Sequence, residues 1–477
     1  MRARLAAAIA ALAANDRAYL AGLALLTACS WGRWLATGSL KVDDNYPSAA
    51  IATLLLVFLV VGWALLVGSF SGMLADAFDD RRVAALPAGR VRRLAFVGLA
   101  VASLMLPMLS NDLFQLFSWG SLAAHGKDVF TTASAFPESE WHSYVSIRWV
   151  DTLCHYGPLS VVGAMPSALA HGNPWVAIVL VRVCWLVPLV AVMLVSFRLL
   201  PSMRAFHTML WLNPLWLLEG PGQLHCDLIG LTLVSAGVVL GLRGRKVAAV
   251  LLCALAVVSK YTFVFVGPWF LLFDPSSARR RAGRALLMVT AIGACGAAFY
   301  APFWLGLRTI TAPIQDILAE KPGGTLVEVV GDLAALGSSP SPPVVAAVSL
   351  ALKIVTAVVG ARVLYVMLKR NGPEVVALGT GALIVVAVTL GAPKFEPWYL
   401  LPALPFFGLS CTPTWRRWLA AAVGLSVLPT FANVLPSSSP IVPVWGVLST
   451  GANVAWFLAM FRARYLGSFA DASAPAE

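Results

Sequence analysis

Long apolar runs recur from one end of this chain to the other, many close to the roughly 20 residues that a helix needs to cross hydrocarbon. A lipid interior has no water for unpaired backbone groups, so such runs fold as helices that satisfy their own hydrogen bonds. Charge content supports the same reading. With 59% hydrophobic and 12% charged residues over 477 positions, a soluble protein could not cover its surface. The expected fold is an all-α polytopic integral membrane protein, a single transmembrane domain over residues 1–477 with about 14 membrane segments.

The segments begin with 18–36, 50–70 and 94–109 and end with 418–435 and 441–461. Residues 157–170 hold Pro158 and Pro166 and read as a juxtamembrane or re-entrant helix, whereas 247–273 reads as a hairpin broken at "SKY". Alternating the spans from a cytoplasmic N-terminus puts most of the Lys and Arg in short inner loops, among them "RGRK", "ARRRAGR" and "WRRW". Both termini are then cytoplasmic, and "MRARLAAAIAALAANDR" reads as an interfacial helix, not a cleaved leader. The net charge of +12 is explained by this orientation, so no nucleic-acid partner is expected. Two long loops, 110–156 and 306–342, face outward from a plasma (inner) membrane; the first is a candidate catalytic loop and the second a candidate lid.

Polar residues gather on that outer side. The stretch "SNDLFQLFSWGSLAAHGKDVF" (Ser110–Phe130) carries Asn111, Asp112 and Asp128 directly behind an apolar run. An Asp there can cap the next helix or act as a hydrated base at the lipid surface. "DTLCHYGP" adds Asp151, His155 and Tyr156, "LLEGPGQLHCD" adds Glu219, His225 and Asp227, and "GAPKFEPWYLLP" adds Lys394, Glu396, Trp398 and Tyr399. His225 and Asp227 alone do not close a metal site, so no metal is assigned, and a divalent-ion requirement stays open. Arg182 and Lys260 lie within apolar sequence, where a cation needs a partner, the interface or a cavity. Lys260 sits at the helix break and is the better phosphate ligand; Lys353 belongs to no motif and reads as structural. Cys154 and Cys226 are the two cysteines in polar loops, and a disulfide between them would tie the first loop to the "HCD" turn.

In this order, an outer Asp, "HGKDVF", "YGP", "NPLWLLEGPGQLHCD", "SKYTF" and "EPWYLLP" make the chain resemble the GT-C superfamily of lipid-linked glycosyltransferases, most of all the polyprenyl-phosphomannose-dependent alpha-1,6-mannosyltransferases of actinobacteria. The resemblance covers about 94–411. It implies a GT-C-like fold with Asp112 as the catalytic base. A Gly-x-Asp-Pro-Tyr-like element falls on Gly126–Phe130, an Asn-Pro…His-Asn-Asp element on Asn213, Pro214, His225 and Asp227 with Cys226 in place of Asn, and a Pro-Trp-Tyr element on Pro397, Trp398 and Tyr399.

The implied reaction moves a sugar, mannose first, from a polyprenyl-phosphate donor to a glycan or lipid-linked glycan acceptor, with inversion at the anomeric carbon. Lys260 and Arg182 are the candidate donor-phosphate ligands. Asn111, Asp128, His155, Tyr156, His225, Asp227, Glu396, Trp398 and Tyr399 are the candidate sugar and acceptor contacts. No cofactor is expected, since a lipid-phosphate donor needs no nucleotide pocket and the chain has no Walker element in a suitable context. The rival reading is a secondary transporter or a lipid or polysaccharide flippase, which would also place ionisable groups near a helix break.

Overall fold

In the computed structural model, residues 15–41, 46–78, 86–110, 112–133, 137–146, 149–273, 278–319, 342–370, 372–392, 396–410, 426–428 and 431 are described. All regular elements among them are helical. In chain order they are α1 (Asp16–Thr37), α2 (Ala49–Phe78), α3 (Ala88–Ala102), α4 (Asp112–Ala124), α5 (Pro158–Ala164), α6 (Pro174–Leu199), α7 (Arg204–Trp211), α8 (Pro214–Leu217), α9 (Asp227–Leu242), α10 (Lys246–Ser259), α11 (Gly267–Leu272), α12 (Ala278–Tyr300), α13 (Arg308–Ala319), α14 (Pro342–Arg370), α15 (Pro373–Val386) and α16 (Leu404–Ser410).

Among the described residues, five stretches are long and apolar enough to cross a membrane: Ala49–Ala77, Pro174–Leu199, Ala278–Phe303, Ala346–Arg370 and Pro373–Gly391. The first four carry large exposed apolar side chains, such as Val176, Val179, Val183 and Val187 on α6, as a lipid-facing helix requires, whereas Pro373–Gly391 is mostly buried. Several other expected spans are interrupted. The 207–219 run divides into α7 and α8 because Asn213 and Pro214 start a new helix. The 94–109 run leaves helical structure after Ala102. Residues 158–170 are a short α-helix followed by a 3₁₀ turn, and the 247–273 run breaks at Lys260, as expected. The N-terminal interfacial helix and the last two expected spans lie wholly or almost wholly outside the described residues.

Local chemistry accounts for the helix ends. The Asn15 side chain accepts N–H bonds from Arg17 and Ala18 at the start of α1, and Gly38, at φ 65°, turns the chain out of its other end. α1 and α2 form the most extensive helix pair. A Cβ at Gly22 would lie 2.6 Å from the Gly62 carbonyl oxygen, so their backbones touch, as small residues permit between helices in lipid.

α4 is the element that positions the 110–156 segment. Every residue from Leu113 to Ala123 is buried, so this helix is a core element rather than a surface excursion. It packs on α5 and on the 3₁₀ turn Met165–Ala170. α13, in the 306–342 segment, reaches back to the 110–156 segment through Asp316, whose carboxylate accepts the Leu153 N–H at 3.0 Å. The candidate-lid stretch from 320 to 341 lies outside the described residues.

Candidate active site

Asp112 is the first residue of α4, and its own N–H is accepted by the Ser110 hydroxyl at 3.1 Å. Its carboxylate is 17% exposed and lies 3.9 Å from Nδ1 of His225. The chain brings His225 there by an uncommon turn. Asn213 caps α8 by accepting the Leu215 N–H at 3.0 Å, Pro214 occupies the first helical position, and α8 then widens into a π-turn over Leu218–Gly222. Leu224 follows at φ 58°, a left-handed conformation that costs a bulky residue energy and that marks sites held by their surroundings. The turn closes with the His225 N–H on the Glu219 carbonyl at 3.1 Å.

The His225 ring stacks on Trp398, with centroids 3.7 Å apart and planes 17° apart. On its other nitrogen, Nε2 lies 3.3 Å from a Glu219 carboxylate oxygen, off a hydrogen-bonding angle. Glu219 is fully buried and neither of its side-chain oxygens has a hydrogen bond. Burial opposes charge on His225, but Glu219 first, then Asp112 and Asp227, outweigh it and raise the imidazole above its ordinary pKa.

Lys260 comes from the break that follows α10. α10 ends at Ser259, and Lys260 is extended with φ −157° and ψ 129°. The break is packed against the "YGP" turn: the Gly157 N–H and the Ser160 hydroxyl both donate to the Ser259 carbonyl, at 2.9 and 2.8 Å. A Cβ at position 157 would sit 2.0 Å from the Val258 carbonyl oxygen, so only glycine fits this contact. The Lys260 ammonium bonds Asp227 at 2.7 Å, lies 4.4 Å from the ring centre of Tyr399 and 5.2 Å from that of Tyr156. Lys260 and Asp227 are both buried, so removing either alone would strand a charge.

These elements enclose a cavity of about 460 Å³. Asp112, His155, Tyr156, Lys260, Glu396, Trp398 and Tyr399 line it, while His225 and Asp227 stand one layer behind. Gln115 and Trp149 extend the polar wall, and Phe265, Ala387 and Val388 form an apolar one. Trp119 backs His155 and Tyr156 edge-on. The arrangement offers a carboxylate, aromatic faces, a buried cation and an apolar side within one space.

Two expected site residues are placed elsewhere. Arg182 donates to the carbonyls of Met105 and Gly222 at 2.8 and 3.3 Å, so its guanidinium fastens the end of the third apolar run to the π-turn and is not part of the cavity wall. Asp128 accepts the Phe130 and Thr131 N–H groups and the Thr131 hydroxyl, closing its own loop away from the wall. Asn111 lies outside the described residues. Cys154 and Cys226 are free thiols, each raised in pKa chiefly by burial, so the disulfide does not form here. Glu219 was visible in the sequence as a neighbour of His225, but its role behind the imidazole depends on a π-turn that spacing does not announce. Among the described residues, no group of three or more His, Cys, Asp or Glu is arranged to hold a metal ion.

Residues 12–273 match the family model described as alpha-(1->6)-mannopyranosyltransferase, N-terminal domain. The chain belongs to this family. Within that match lie Asp112, the Glu219–His225 turn and Lys260, whereas Lys353, Glu396, Trp398 and Tyr399 lie beyond it. Among similar proteins, alpha-(1->6)-mannopyranosyltransferase A of Mycobacterium tuberculosis is 30% identical over 178 residues, 36% of this chain and 34% of that protein. Alpha-(1->6)-mannopyranosyltransferase A of Corynebacterium glutamicum is 27% identical over 218 residues, 44% of each chain. Alpha-(1->6)-mannopyranosyltransferase B of the same organism is 25% identical over 197 residues, 39% of this chain and 32% of that protein. The matches therefore span from about a third to under a half of the relatives' own length.

Proposed function

We propose that this member of the mannopyranosyltransferase family is a membrane mannosyltransferase that takes mannose from a polyprenyl-phosphate donor and transfers it to a hydroxyl of a glycan or lipid-linked glycan. The observation that carries the proposal is one cavity holding an accessible carboxylate, Asp112, across from a buried ammonium, Lys260, with an apolar wall beside them. A lipid-linked sugar needs that combination: apolar surface for its tail, positive charge for its phosphate, and a base for the incoming hydroxyl.

In the proposed step an acceptor oxygen attacks the anomeric carbon as the bond from that carbon to the phosphate oxygen breaks. The bonding pair leaves with the polyprenyl phosphate, and the acceptor proton passes to Asp112. Lys260 opposes the charge that develops on the leaving phosphate, held in place by Asp227. Stacking against Trp398 fixes His225 beside Asp112, and a cation there favours the ionised, base-competent carboxylate. Aromatic faces of Trp398, Tyr399 and Tyr156 suit the apolar faces of a pyranose. A single displacement inverts the anomeric centre, so a β-linked donor gives an α product.

The proposal includes a topology of about 14 membrane segments in the plasma membrane, both termini cytoplasmic and the cavity opening outward, supported by the loop charges. The donor class is tested by offering purified protein a panel of polyprenyl-phosphate sugars and sugar nucleotides with a mannan acceptor. Transfer is expected from polyprenyl-phosphate mannose; transfer from a sugar nucleotide alone would overturn the assignment.

A further inference from the structure

Lys353 lies on α14, a helix whose flanking side chains Leu350, Ile354, Val355 and Val358 are exposed and apolar. On a surface suited to lipid, a cation costs several kcal/mol unless it reaches the headgroups, finds an anion or faces a wet space. Its depth is measurable along the helix. Lys369 and Arg370 end α14 at a basic boundary, and Lys353 is 369 − 353 = 16 residues before it. At about 1.5 Å per residue that is roughly 24 Å, close to the far headgroup level of a core about 30 Å thick.

At that level Lys353 lines the same cavity as Asp112 and Lys260. No hydrogen bond or ion pair joins Lys353 to any described residue. Lys260 differs, since its charge is already matched by Asp227 at 2.7 Å. An incoming phosphate that met Lys260 alone would therefore compete with the Asp227 carboxylate for its charge. The geometry points to Lys353 as the cation that receives the phosphate of a lipid-linked ligand, with the isoprenoid chain running along the exposed face of α14. This assignment rests on the polyprenyl-phosphate reading of the cavity, and it adds a residue outside the segment matched by the family model.

The test is a binding measurement that needs no turnover. Purified protein in detergent is titrated with a polyprenyl monophosphate, for wild type, Lys353→Met, Lys353→Arg and, as a control at the other end of α14, Lys369→Met. Loss of a charge-assisted contact predicts binding weaker by about ten- to a hundred-fold in Lys353→Met. Lys353→Arg should retain most of the affinity, because the contact uses mainly charge, and Lys369→Met should bind as wild type. Wild-type affinity in a folded Lys353→Met protein would overturn the assignment while leaving the donor reading intact. A wild-type protein that binds no polyprenyl monophosphate would overturn both. Phosphatidylglycerol is titrated in parallel; an equal loss for that lipid would make Lys353 a general headgroup anchor and likewise reject the donor assignment.

Discussion

At the scale of single residues, the arrangement around His225 carries the most information. Its imidazole is bracketed by Glu219 behind, Asp112 in front and Asp227 nearby, and it is raised in pKa despite burial. A group whose folded pKa exceeds its unfolded value, about 6.5 for histidine, contributes stability that is complete below the unfolded value. That contribution is lost as pH rises through the folded value. Thermal unfolding measured across neutral and mildly alkaline pH should therefore show a decline that Glu219→Gln moves to lower pH, because Glu219 is the largest raising influence. The readout is the pH at which stability falls, not its absolute level, since removing a buried carboxylate that lacks hydrogen bonds changes the level as well. Identical pH profiles for both proteins would mean that Glu219 does not hold the imidazolium.

At the scale of elements, the site is built from helix interruptions: the start of α4, the π-turn after α8 and the extended residue after α10. The Gly157 contact ties the end of the 110–156 segment to the last of these. Gly157→Ala should cost about 1–3 kcal/mol, since the added methyl meets backbone and the neighbouring turn must shift. Chemical unfolding checks this, and a variant as stable as wild type would show that the "YGP" turn is not seated on the Lys260 break. The break itself was legible, because a lysine between two short apolar runs is difficult to place otherwise. The common location of "HGKDVF", "YGP", "HCD" and "EPWYLLP" was only partly legible. Tyr156, Trp398 and Tyr399 do line the cavity, but Asp128 folds back on its own turn and Arg182 satisfies two carbonyls. A sequence states that a polar group needs a partner without stating which one, and backbone carbonyls compete with ligands. Lys353 failed in the other direction, having no motif yet facing the cavity because α14 happens to pass it.

At the scale of the whole molecule, five helices that are long and apolar enough to span a membrane, among the described residues, and a buried α4 accompany the cavity near one end of α14. The proposed orientation predicts that Cys introduced at exposed Glu138 reacts with a membrane-impermeant thiol reagent in intact cells, whereas Cys at exposed Gly89 reacts only after lysis. Native Cys154 and Cys226, both buried, should stay unlabelled in each case. Reversed labelling would put the cavity on the cytoplasmic side. The central claim is that Asp112 is the base of a single-displacement sugar transfer. Because the Ser110 hydroxyl accepts the Asp112 N–H, Asp112→Asn keeps the shape of the helix start while removing the carboxylate charge and, with it, the ability to take a proton. The decisive measurement is mannose transfer from polyprenyl-phosphate mannose by purified wild type and Asp112→Asn protein, with donor binding and unfolding followed on the same samples. The account predicts turnover lower by about 100- to 10,000-fold with binding and stability retained; a folded Asp112→Asn protein that transfers mannose at close to the wild-type rate would contradict it.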